Sequence, residues 1–65
     1  MTYRYDDEHD IEVHHPHGDS PYWAHLLHRK TLRRVVERVE SNETNMDRAC
    51  KDLEAQIAKL LKEIN

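Results

Sequence analysis

The sequence predicts an all-α fold, and three observations lead to it. Between Pro21 and Asn65 there is neither Gly nor Pro, so no residue forces a break. Leu32, Val36, Val39, Met46, Cys50, Leu53, Ile57, Leu60 and Ile64 recur at alternating spacings of four and three, with Glu43 the one polar residue on the series, as the buried stripe of a helix requires. Charged residues make up 35% of the chain and Phe is absent, a balance that suits polar-faced helices better than a sheet sandwich.

Taken in order, residues 1–19 read as an irregular arm. They hold no helical period, their only alternation is Ile11-Glu12-Val13, and Arg4 stands against Asp6, Asp7, Glu8, Asp10, Glu12 and Asp19. Asp19-Ser20-Pro21 is a helix start signal, because Ser accepts from first-turn amides and Pro lacks the amide that would be orphaned there. The helical module therefore spans residues 20–65. Within it Ser41-Asn42-Glu43-Thr44-Asn45 is poor in helix formers, and Thr44-x-x-Asp47 resembles a capping box, so a turn near residues 41–45 gives a helical hairpin. The alternative is one long continuous helix, since the apolar spacing runs through that segment without a phase slip.

Either form leaves an apolar seam that one chain of 65 residues cannot hide alone, so a dimeric or tetrameric coiled coil or helical bundle is expected. Cys50 is the only cysteine, which excludes an internal disulfide and fits a reducing, cytoplasmic setting. No apolar run approaches the roughly 20 residues needed to span a bilayer, and the acidic start lacks the apolar core of a signal peptide.

Six histidines precede residue 29, and they are the residues with the most chemistry to offer. On a helix, His25 and His28 would share a face and could reach one Zn, Ni or Cu ion, with His14, His15 or His17 as further ligands and Asp10 or Glu12 as oxygen donors. Tyr22, Trp23, Leu26 and Leu27 form a candidate docking patch, because Trp and Tyr anchor many interfaces. Arg29, Lys30, Arg33, Arg34 and Arg38 form a basic patch able to meet phosphates or lipid head groups, but the chain is acidic overall at −3 and carries no base-reading motif, so nucleic acid is not the expected partner. Cys50 sits on the seam with no neighbouring base, so no catalytic nucleophile is expected, and no cofactor beyond the possible metal.

Asp47-Arg48-Ala49-Cys50-Lys51-Asp52 with Gln56-Ile57-Ala58 resembles the start of the second helix in the copper-sensing repressor family, where that cysteine is a metal ligand. The likeness covers residues 47–58, and the family's later His and Cys ligands would fall past Asn65, so it implies no repressor function. The expectation is a non-catalytic helical oligomerisation and protein-interaction module, with a small His-rich metal-binding protein as the alternative.

Overall fold

The computed structural model describes residues 1–15 and 17–64. Four strands precede one helix: β1 (Thr2–Arg4), β2 (His9–His14), β3 (Tyr22–His28), β4 (Arg34–Ser41) and α1 (Met46–Ile64). The strands pair antiparallel in chain order, and α1 covers one face of the sheet. Short connections favour this meander, because consecutive strands joined by a few residues pair with their neighbours.

This corrects the all-α reading. Residues 20–41 are not the first arm of a helical hairpin, nor part of one continuous helix, nor a coiled coil; they form a loop and two strands. Residues 1–19 are not an irregular arm either, since β1 and β2 lie there. The reason lies in β4. Its partner positions run Ala24 to Val39, Leu26 to Val36 and Leu27 to Arg34, so β4 carries an extra residue at each of two steps. Such bulges place Val36 and Val39, three apart, on one sheet face, which imitates the spacing of a helix. The β-branched Val35, Val36 and Val39 also suit a strand better than a helix.

The core lies between sheet and helix. Ile11 and Val13 of β2, Ala24 and Leu26 of β3, and Val36 and Val39 of β4 meet Leu53 and Ile57 of α1. Alternation along β2 sends Ile11 and Val13 inward and Asp10, Glu12 and His14 outward. On α1 the buried Ala49, Leu53 and Ile57 fall at helical spacing, with Cys50, Leu60 and Leu61 half-buried beside them. Most of the seam residues of α1 are thus covered by this chain's own sheet. Ile64 is exposed, and Leu32 is not on a seam at all; it sits at the tip of the β3–β4 hairpin, 72% exposed and at φ +60°.

Local chemistry fixes the corners. Asp6 closes the β1–β2 loop by accepting from the amides of Glu8 (2.8 Å) and His9 (2.7 Å) and pairing with His9 Nδ1 (2.9 Å). Burial pulls the Asp6 carboxyl up, but the amide of Glu8, then the ring and amide of His9, outweigh it and hold it below the ordinary carboxylate value. Gly18 takes φ +63° in the β2–β3 connection. Asn45, rather than Thr44, caps α1, its Oδ1 accepting from the amides of Asp47 (2.9 Å) and Arg48 (3.3 Å). Two contacts set α1 across the sheet: Tyr3 donates its hydroxyl to Glu54 Oε2 (2.9 Å), and Gln56 Nε2 donates to the Glu40 carbonyl (2.8 Å). Among the described residues no helix is long and apolar enough to cross a membrane.

Candidate metal centre on the open sheet face

The residues that alternate away from the core build the sheet's other face. Glu12 stands opposite His25, and His14 stands opposite Trp23, on neighbouring strands β2 and β3. Directly opposed residues on one face of an antiparallel pair lie about 5 Å apart at their Cβ atoms, so this register brings Glu12, His14, Trp23 and His25 together. Glu12 Oε1 lies 2.8 Å from His14 Nε2, and Glu12 Oε2 lies 3.4 Å from His25 Nε2. One donor atom from each of Glu12, His14 and His25 falls within 4.8 Å of the other two.

The burial of this cluster is uneven. His25 is only 4% exposed although, among the described residues, the one helix packs on the other face, because the side chains of Glu12, His14 and Trp23 crowd around it. The ring of His14 stacks on Trp23 with centroids 3.8 Å apart and planes within 5°, while the rings of His14 and Trp23 lie 5.3 and 5.6 Å from that of His25. From β4, the guanidinium of Arg38 lies 4.3 Å from the Trp23 ring centroid and pairs with Glu40 at 3.1 Å. Burial raises the Glu12 carboxyl, but the adjacent imidazoles, His25 first and then His14, overcome it and hold the group below the ordinary carboxylate range.

Among the described residues, two imidazole atoms lack an aligned hydrogen-bond partner. His14 Nε2 approaches Glu12 closely but outside hydrogen-bond alignment, and His25 Nδ1 is buried with no partner. A buried polar atom left unsatisfied costs about 1–3 kcal/mol, so His25 Nδ1 would be stabilised by a partner. Two imidazoles and a carboxylate match the nitrogen and oxygen donor set that zinc accepts with an open position. Bound donors at about 2.1 Å from a tetrahedral ion sit about 3.4 Å from one another, and the three donor atoms here lie within 4.8 Å of one another.

The sequence-derived candidates distribute differently from expectation. His14 and His25 meet, joined by Glu12. His25 and His28, expected to share a helix face, lie on a strand, where residues three apart point to opposite faces. The His28 ring instead packs edge-on against His9 at 5.7 Å. His15 and His17 line a cleft with His14 and Trp23, and Pro16 between them lies outside the described residues. The docking patch splits between the faces: Leu26 is core and Tyr22 packs beside it, whereas Trp23 and Leu27 belong to the open face. The basic residues do not share a helix. Arg29, Lys30 and Arg33 lie in the hairpin loop, Arg34 starts β4, and Arg38 lies near its middle. The signal available in the sequence was Glu12-x-His14 beside Ile11 and Val13, which places both donors on the polar face of a strand.

No family, curated protein or solved structure matches this chain.

Proposed function

We propose that this domain binds a divalent transition metal of the zinc, nickel or copper class through Glu12, His14 and His25. The convergence of one carboxylate and two imidazoles from adjacent strands is the observation that carries the reading. Glu12 supplies the anionic ligand, the imidazoles supply nitrogen, and the stack of His14 on Trp23 holds the first ring in place. Because imidazole must be neutral to ligate, affinity falls as pH drops.

Trp23 is the only tryptophan of the chain and touches a candidate ligand, so it reports directly on binding. Titration with Cu or Ni is expected to quench its fluorescence at one ion per chain, with Zn competing for the same site. The Glu12→Gln and His25→Gln variants should lose at least about tenfold in affinity, since even outer-shell changes at metal sites have that effect. Circular dichroism checks that each variant remains folded. No binding tighter than about millimolar, or binding that both folded variants retain, would sink the proposal.

A further inference from the structure

We infer that the tip of the β3–β4 hairpin docks on an anionic lipid bilayer, with Leu32 entering the headgroup layer and Lys30, Arg33 and Arg34 meeting the phosphates around it. Residues 29–34 are all exposed and hold four cations and one large apolar side chain, with no carboxylate until Glu37. Arg29 is engaged, its Nε 3.5 Å from Asp10. Among the described residues Lys30, Arg33 and Arg34 form no ion pair. The chain carries −3 overall, so this end of the sheet is a local concentration of positive charge rather than part of a basic protein. Of the acids on the adjoining β1–β2 loop, Asp7 pairs with Arg4 at 3.2 Å and Asp6 is hydrogen-bonded to His9, which leaves Glu8 against the cations beside it. The tip shares no residue with Glu12, His14 and His25, so the lipid and metal readings stand or fall separately.

The hairpin holds this tip in one shape. The His28 amide donates to the Arg33 carbonyl (2.9 Å) and the His28 carbonyl accepts from the Leu32 amide (2.8 Å), while the Arg29 amide donates to the Glu8 carbonyl (2.9 Å) and ties the hairpin to the β1–β2 loop. Leu32 is kept at φ +60° and 72% exposed, a backbone conformation and an exposure that each work against an apolar residue in water. Backbone strain of this kind gathers at positions that contact ligands, and a bilayer removes the unfavourable exposure. The same side chain favours lipid over soluble phosphate or nucleic acid. Those ligands need the cations and gain nothing from Leu32 among them, whereas in a headgroup layer the Lys and Arg stems lie along the acyl boundary with their charges at the phosphates.

Flotation of the full chain with vesicles at low salt tests this, comparing phosphatidylcholine alone with equal parts phosphatidylcholine and phosphatidylserine. The wild type should bind the anionic vesicles about a hundredfold more tightly, at about fivefold for each of the three free cations, and should lose that preference as salt rises. Lys30→Gln and Arg33→Gln should each lose about fivefold. Leu32→Asn should lose about tenfold while circular dichroism shows the domain still folded, which separates the lipid contact from folding. Lys51→Gln, in the second turn of α1 and so near the opposite end of β4, should bind as the wild type does. Equal binding to both vesicle types, no binding to either, Leu32→Asn binding like the wild type, or Lys51→Gln losing as much as Lys30→Gln would overturn the proposal. So would a single-stranded oligonucleotide that binds as tightly as the anionic vesicles and is indifferent to Leu32→Asn, which would mark the tip as a contact for a phosphate backbone.

Discussion

The two faces of the sheet are made by the same strands yet hold different chemistry. Toward α1, β2 and β3 present Ile11, Val13, Ala24 and Leu26, all fully buried. On the opposite side the intervening residues are Glu12, His14, Trp23 and His25. A side-chain period of two separates folding from chemistry within single strands, so neighbours in sequence belong to different structures in space. The faces should therefore respond differently to substitution.

The largest difference is in stability. Leu53→Ala removes a fully buried side chain from the helix side and should cost about 2–5 kcal/mol. A domain of this size seldom has more than about 3–5 kcal/mol to lose, so chemical denaturation should find the variant mostly unfolded. On the open face, His14→Ala removes a ring that stacks on Trp23, and the expected loss is about 0.5–1.5 kcal/mol with the fold retained. Equal losses at the two positions would show that the open face is a second core.

The faces should also fail at opposite ends of the pH scale. Burial, the hydrogen bond to Glu54 and the nearby Cys50 raise the Tyr3 hydroxyl above its ordinary 10.0. Its stabilising contribution is complete below that value and is lost as pH rises beyond it through the folded-state value. Glu12 has the opposite sign. Its folded-state value lies below the ordinary 4.5, so its contribution is present above 4.5 and disappears as pH falls through the lower value. Asp6 adds a loss of the same sign at acid pH. Urea midpoints measured across both ranges should show Tyr3→Phe flattening the alkaline limb and Glu12→Gln the acid limb, each leaving the other limb in place.

A smaller effect separates the parts of the open face. Arg38 is half exposed, and its pair with the equally exposed Glu40 contributes little, so its contact with Trp23 is the larger part of its value. Arg38→Ala should cost about 0.5–1 kcal/mol, and Arg38→Lys should recover only part of it, because an ammonium lacks the flat guanidinium face. Glu40→Gln should change the denaturation midpoint hardly at all.

How much of this was legible depended on whether a segment obeys one period. In Met46–Ile64 the apolar residues follow a helix, and the helix packs by that face. β4 breaks its own alternation with two bulges, and the resulting Val36 and Val39 spacing joined the helical series of α1 by coincidence of phase. β3 is nearly apolar on both sides, with Trp23 and Leu27 backing Ala24 and Leu26, so no alternation announces a strand. The histidines were recognisable by type as candidate metal donors. Their grouping was not, because Glu12, His14 and His25 are assembled by pairing across a hairpin rather than by helical spacing. The Ile11-Glu12-Val13 alternation was the visible trace of the correct fold, carried by too few residues to outweigh the longer helical pattern.

Leu32 isolates that competition at one residue. As a seam position in a helical bundle it would be buried, and a polar replacement would cost several kcal/mol. At the hairpin tip it is 72% exposed with φ +60°, a left-handed conformation that disfavours a side chain such as Leu and that Asn tolerates. Leu32→Asn should therefore stabilise the domain by about 0.5–1 kcal/mol and raise its melting temperature by a few degrees. Leu32→Ala, which keeps the backbone strain while removing the exposed apolar side chain, should give no such gain. A gain is what the strained, exposed hairpin tip predicts, and a loss of several kcal/mol would show that the Leu32 side chain is packed.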